Sequence, residues 1–294
     1  KIDLMEFDKN YSNFLVDHIL KFIKEFNINK IDAVSSHGHT VFHKPDKHIT
    51  FQLGNLSFIA EKITNTFICD FRTQDLALGG QGAPLVPIGD KMLFNDYDAC
   101  LNLGGFSNLS KKNKENIIAY DICALNVVLN KLANKLNLKY DQSGNNAQKG
   151  KIIKPFYHEL EKISFYNLDP PKSLGVEWVY QNIFKLLERF DNNAICDLLH
   201  TYTVHAANQI VKNLNSISRV LVTGGGTYNS FLISEISNKT NCNLIIPDSS
   251  LVEFKEAMIF AFLGLLKMRG ESNVLSSVTG AARNHSSGKI FSPK

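Results

Sequence analysis

Two short apolar runs that end abruptly in glycine constrain this chain more than anything else in it: ACLNLGG at residues 99–105 and VLVTGGG at residues 220–226. Such runs suit buried strands, and the glycines let the backbone turn at once or press close to a ligand. After the first run, FSNLS places Ser107, Asn108 and Ser110 on what reads as the returning arm of a hairpin. After the second, TYNSFL enters a helix with Asn229 or Ser230 as its N-cap. A helix N-terminus behind a glycine turn offers free N–H groups and the positive end of a dipole, which suits a phosphate or the ribose of a nucleotide. Either loop alone reads as readily as a plain turn; both in one chain favour an anionic ligand.

The rest of the sequence alternates in the same manner. Strands are expected at residues 31–35, 67–70, 99–103, 117–120, 220–223 and 243–246, and helices at 11–26, 125–136, 175–190, 194–214, 230–238 and 254–268. Strands alternating with helices argue for α/β layers, and the hairpin across residues 101–121 adds antiparallel character. At 294 residues, 44% hydrophobic and 20% charged, the chain can bury a sizeable core and divides more naturally into two lobes than one.

Charge and cysteine content narrow the class. The net charge is +4, from 32 basic and 28 acidic residues, and the densest basic run, KKNK at residues 111–114, is expected as a solvated hairpin turn rather than a nucleic-acid contact. Five cysteines, an odd number without a CxxC pair, fit reduced thiols in a cytosolic protein. No apolar stretch reaches membrane-span length, and the opening KIDLMEFDKNYS lacks the apolar core of a signal peptide. It also lacks an initiator methionine, so the chain reads as a piece of something longer.

The polar candidates are local. SSHGHTVFHKP, residues 35–45, places His37, His39 and His43 within seven positions. Metal binding, hydrogen bonding to a polar ligand and plain surface histidines all stay open there, although Gly38, Thr40, Val41 and Pro45 argue against the helix that would align His39 with His43. Among the acids, Asp70, Asp75, Asp121 and Glu256 stand beside glycine loops or in apolar surroundings. Asp121 follows an apolar run and precedes the helix bearing Asn126. It is expected at a strand's C-terminal edge, where α/β proteins place ligands, or as that helix's N-cap. Glu256 lies on EFKEAMIFAFLGLL, where an inward acid needs a partner or a task; Glu253 and Lys255 are expected to be exposed.

In order along the chain, SHGHTVFHKP, TFQLGN, DFRTQDLALGGQGAPLVPIGD, LNLGGFSNLS, AYDICALN, YDQSGNNAQKG, PKSLG, VLVTGGGTYN, KEAMIFAFLG and NVLSSVTGA closely resemble the anhydro-N-acetylmuramic acid kinase family. DFR and GGQGAPLVP are the most specific, and the resemblance covers essentially everything from residue 31 onward. It implies the two-lobed actin-like (ribonuclease H-like) α/β fold of sugar kinases, Hsp70 chaperones and actin. Residues 1–96 would form an N-terminal, sugar-binding lobe that residues 269–294 return to complete, and residues 97–268 a C-terminal, nucleotide-binding lobe. The resemblance further implies ATP with Mg²⁺, a cytoplasmic homodimer, and a part in the reuse of cell-wall sugars. In the family's reaction, water attacks the anomeric carbon of 1,6-anhydro-N-acetylmuramic acid while the freed O6 takes the γ-phosphoryl group, giving N-acetylmuramic acid 6-phosphate. Carried over residue by residue, Asp121 is the general base. His37, Thr40, Arg72, Asp75 and Glu256 belong to the sugar site, with the Arg72 guanidinium suited to the lactyl carboxylate. Gly104, Gly105 and Asn108 form a phosphate loop, Asn126 lies near the nucleotide, and Gly224, Gly225 and Gly226 form the adenosine loop. No metal site built from the chain's own residues is expected.

Two features depart from the family pattern. Its first phosphate hairpin, of the form GTSxDGxD, has no counterpart in this sequence, so the N-terminal lobe is expected to be incomplete, short of a strand and a phosphate clamp. DICALN stands where many relatives have DTGPGN, which keeps Asp121 and Asn126 but not the Gly-Pro turn between them. The alternative is therefore a non-catalytic sugar- or nucleotide-binding relative, and a third reading is a metal-dependent member using His39 and His43.

Overall fold

A computed structural model describes residues 3–113 and 116–293, so Lys114 of the basic run lies outside the described residues. The chain divides into two compact units, Lys1–Gly89 with Glu256–Lys294, and Asp90–Lys255. The divisions fall inside the helices Pro87–Leu93 and Ser249–Met268, whereas sequence placed them at 96/97 and 268/269.

In the first unit, β1 (Val34–Ser35) pairs in parallel with β4 (Phe67–Cys69), and β10 (Lys289–Phe291) pairs antiparallel on the other side of β4. β2 (His39–Lys44) and β3 (Ile49–Leu53) form a separate hairpin. The helix Leu4–Glu25 starts well before the expected residue 11 because Asp3 caps it, its carboxylate accepting from the N–H groups of Met5 and Glu6. Val16 of that helix packs with Ile59, Ala60, Ile63, Phe67 and Cys69.

The second unit is built on a five-stranded sheet ordered β7-β6-β5-β8-β9. Its members are β5 (Ala99–Leu103), β6 (Phe106–Asn113), β7 (Asn116–Ala124), β8 (Arg219–Thr223) and β9 (Asn243–Ile245). The first three form an antiparallel meander, and β8 and β9 continue from β5 in parallel. A meander extended by two parallel strands is the ribonuclease H-like sheet, so the chain has the mixed α/β fold that the sequence implied. β8 reads as an unbroken buried run from Val220 to Thr223 because it is covered on both faces. Leu101, Leu103, Leu109, Ile122, Leu125 and Leu198 fill the core around Tyr202, whose hydroxyl donates to the Ala124 carbonyl at 2.9 Å. The helix expected at 175–190 is a continuous helical path with a π turn, Tyr180–Phe184, in its middle. No helix of the described residues is long and apolar enough to cross a membrane, and the five cysteines are free thiols.

Candidate active site

The antiparallel register sets Asn102, Asn108 and Asp121 side by side across β5, β6 and β7, and directly paired residues share a face. Asp121 thus sits inside a strand rather than at its end. Its expected alternative as a helix N-cap is overturned, because β7 goes on pairing through Cys123 and Ala124 and the cap position of the helix Asn126–Asn134 falls to Leu125. The Asp121 carboxylate accepts from the Leu174 N–H at 2.7 Å, and its own N–H donates to the Lys172 carbonyl at 2.9 Å. Burial raises the Asp121 pKa above the ordinary carboxylate value, and the Leu174 N–H pulls part of that shift back.

Beyond Leu103 the chain reverses at Gly104 and Gly105, and the next helix holds that reversal. The N–H groups of Leu125 and Val127 donate to the Gly105 carbonyl at 2.8 and 3.2 Å, and the Asn126 side-chain amide donates to the Leu103 carbonyl at 3.0 Å. DICALN therefore gives Asn126 a defined task without a Gly-Pro turn. A Cβ on Gly105 would meet nothing within 4 Å, so the turn stays open to a ligand.

The three glycines after β8 differ sharply. Gly224 has a φ of +86°, and a Cβ there would lie 2.5 Å from Asn102 Oδ1; at Gly226 it would lie 2.7 Å from Leu103 Cβ. Both are fixed by packing. A Cβ on Gly225 would touch nothing within 4 Å, and Gly225 lines a cavity of about 560 Å³, a size that suits a small-molecule ligand. Asn126, Asn130, Gln142, Tyr228 and Asn229 supply polar groups to the same cavity. Asn229 is the N-cap expected from sequence, accepting from the Leu232 N–H at 3.0 Å. The wall from residues 140–143 belongs to YDQSGNN, to which sequence reasoning gave no role. Its signal was Gly144, at φ +72°, where a Cβ would lie 2.3 Å from Asn229 Oδ1, so the two loops must press together.

The remaining candidates lie in the first unit. Asp70, the first residue of DFR, takes a left-handed φ of +57°, rare for a residue with a side chain. It is held there by Lys289 at 2.8 Å and by the Thr73 hydroxyl, which donates to it at 2.5 Å. Two residues on, the Arg72 guanidinium donates from Nη1 to the Gly82 carbonyl at 2.6 Å and faces His37 Nε2 with Nε at 3.0 Å and Nη2 at 2.6 Å. Burial lowers the Arg72 pKa to about 10 against the pull of Glu256 and Asp75, so it stays cationic at neutral pH. Glu256 itself is exposed, not turned inward. Asp75 is fully buried: it accepts from the Gly82 N–H at 2.6 Å and the Thr279 hydroxyl at 2.8 Å, with His285 Nε2 at 3.5 Å. A Cβ on Gly80 would lie 2.2 Å from the same carboxylate. Asp75 pins the GGQG loop from beneath instead of offering its oxygens to a ligand. Thr40 is half-buried, with the Gln52 amide at 3.5 Å.

Two expectations fail. His39 and His43 lie on β2 with a register shift between Thr40 and Phe42, so Thr40 and His43 turn inward while His39 stays exposed. His43 Nδ1 is 3.1 Å from the Thr50 hydroxyl and the His39 ring lies against Tyr11, so the pair has no common focus for a metal. No group of three His, Cys, Asp or Glu among the described residues is placed to hold a metal ion. Lys255, expected to be exposed, is buried and paired with Asp90 at 2.6 Å, its Nζ 5.2 Å from the Phe94 ring centroid.

Comparison with known proteins decides the family. The family model described as anhydro-N-acetylmuramic acid kinase matches residues 2–293. The chain belongs to the anhydro-N-acetylmuramic acid kinase family. Relatives of that name include one from Bacillus cereus (strain 03BB102), 32% identical over 294 residues, covering 91% of this chain and 77% of the relative. Another, from Bacillus thuringiensis subsp. konkukian (strain 97-27), is 33% identical over 295 residues with the same coverage. Component A of (R)-2-hydroxyglutaryl-CoA dehydratase from Acidaminococcus fermentans is a distant structural likeness. It has 15% identity and a TM-score of 0.39, covering 59% of this chain and 63% of that one. Membership makes the chain a kinase-family enzyme that uses ATP.

Proposed function

We propose that this chain opens 1,6-anhydro-N-acetylmuramic acid with water and phosphorylates O6 at the expense of ATP, giving N-acetylmuramic acid 6-phosphate and ADP for the reuse of cell-wall sugars in a bacterial cytoplasm. The family match over residues 2–293 carries this reading, and the local geometry supports it. Asp121 takes the proton of the attacking water: it is half-buried, has a raised pKa, and accepts from a single N–H among the described residues. The cavity at Gly225 receives the nucleoside, and the Gly104–Gly105 turn, open at Gly105 and with Asn108 beside it, approaches the phosphates. Arg72 pairs with the lactyl carboxylate, with His37, Thr40 and Glu256 around it and Asp75 holding the loop beneath. Mg²⁺ would supply charge neutralisation at the phosphates during transfer. The five free thiols fit a reducing compartment, and the resemblance adds a homodimer, which sedimentation velocity tests.

The deciding assay couples ADP release to addition of the anhydro sugar with MgATP present. Sugar-dependent release with phosphate on O6 is expected. ADP release indifferent to the sugar would overturn the reading.

A further inference from the structure

We propose that His37 is a positioning residue: as a neutral lone-pair acceptor it holds the Arg72 guanidinium edge-on, so that the remaining N–H groups of Arg72 meet the carboxylate of an acidic sugar. This rests on the reading of Arg72 as the carboxylate's partner.

The proton on the imidazole can be located from its neighbours. His37 Nδ1 is 3.0 Å from the Gly38 carbonyl, which can only accept, so Nδ1 carries the hydrogen. Nε2 is then a lone pair, and two Arg72 nitrogens aim at it, Nε at 3.0 Å and Nη2 at 2.6 Å. A hydrogen on Nε2 would put N–H against N–H. Burial first, then Arg72 with a smaller push from His39, lower the His37 pKa to about 4 and keep the ring neutral. The Phe260 ring, 4.6 Å away between centroids, sets its tilt. On the guanidinium's other side the Gly82 carbonyl takes an Nη1 hydrogen, and Gly82 is itself fixed by Asp75, which Thr279 and His285 hold from the C-terminal segment. Three of the five Arg72 N–H groups are thus engaged, leaving two without an acceptor among the described residues. A fork fixed before the ligand arrives loses less freedom on binding, and a lysine could not reproduce it.

The test uses the full chain and titration calorimetry with two ligands, the anhydro sugar carrying its lactyl acid and the same sugar without that acid. His37→Leu should weaken binding of the acidic sugar about tenfold, and by clearly more than it weakens binding of the acid-free sugar. His37→Gln, whose amide oxygen can stand where Nε2 was, should recover most of the loss. Arg72→Met separates the two layers. If it weakens the acidic sugar while His37→Leu does not, the role of His37 is wrong; if it changes nothing, the reading of Arg72 fails first. ¹⁵N NMR of the unmutated chain at pH 7 is independent of any variant's folding: a protonated Nδ1 and bare Nε2 are expected, and a protonated Nε2 would overturn the proposal.

Discussion

Gly225→Val puts the nucleotide assignment to a direct test because protein and ligand space separate cleanly there. Gly225 begins the 3₁₀ turn Gly225–Tyr228, and a Cβ added to it meets no atom within 4 Å. A Cβ therefore has room in the folded chain, and by restricting the unfolded one the valine should hold or raise stability by up to about 1 kcal/mol. Its methyl groups would enter the cavity of about 560 Å³ on whose wall Gly225 stands. Overfilling a packed contact costs about 1–3 kcal/mol, which becomes a loss of roughly 5- to 150-fold in MgATP affinity. Gly226→Ala is the counter-example. Its Cβ would lie 2.7 Å from Leu103 Cβ and 2.8 Å from the Leu103 carbonyl oxygen, so stability itself should fall by about 1–3 kcal/mol. Calorimetric titration with MgATP and with the sugar, alongside thermal unfolding, reads all of these. Unchanged MgATP affinity in a well-folded Gly225→Val would place the nucleoside elsewhere, and equal loss of both ligands with a lowered unfolding midpoint would refute the claim that the site has room.

Asp121→Asn keeps an acceptor for the Leu174 N–H and should spare sugar binding while turnover falls by about two to four orders of magnitude; near-normal turnover would remove Asp121 from the mechanism. Since burial raises the Asp121 pKa and the base must be ionised, kcat/KM should decline with falling pH above the ordinary carboxylate range, and a pH profile without that early limb would contradict it. Lys255→Met strands the Asp90 carboxylate in a site where the two side chains are only 8% and 4% exposed; urea unfolding should show a loss of about 3–5 kcal/mol, and a loss below 1 kcal/mol would make the pair incidental. Burial first, then Arg72 and His39, lowers the His37 pKa to about 4 from the ordinary 6.5. The unfolded chain thus binds more protons between those values, and the His37 contribution to stability is full above about 6.5 and lost as pH falls toward 4. His37→Gln should flatten that segment of the stability profile relative to the unmutated chain.

What the sequence made legible follows from how local each cause is. β5 and β8 were readable because strands buried on both faces become short apolar runs, and the glycines behind them announced turns. The β2–β3 hairpin was not, since Phe42 and Ile49 stay exposed and the register shift at Val41 breaks the alternation that marks a half-buried strand. Asp121 stood out as a polar residue at the end of an apolar run, but the run's length said nothing of Cys123 and Ala124, which go on pairing. The partners that give the candidate residues their roles are distant in sequence: Arg72 meets His37 across 35 positions and Asp75 meets Thr279 across 204. Lys255 misled for the same reason. A lone lysine on a helix is expected in water, and only the buried Asp90 reverses that balance.

Three aspartates that look alike in the sequence separate once their donors are counted. Asp75 is fully buried with Gly82 and Thr279 donating to it and His285 close by, which leaves little acceptor capacity and no surface for a ligand. Asp70 is taken up by Thr73 and Lys289, and its left-handed backbone is the bend that presents Arg72. Asp121 receives one N–H, from Leu174, and burial raises its pKa. A general base needs a free lone pair and a pKa drawn toward working pH. Asp121, with one donor on it and a raised pKa, suits that role, while the other two spend their charge holding the loop and the turn on which Arg72 depends. The same composition therefore divides into one carboxylate suited to chemistry and two that build the surroundings of Arg72, a division set by the number of donors each one meets.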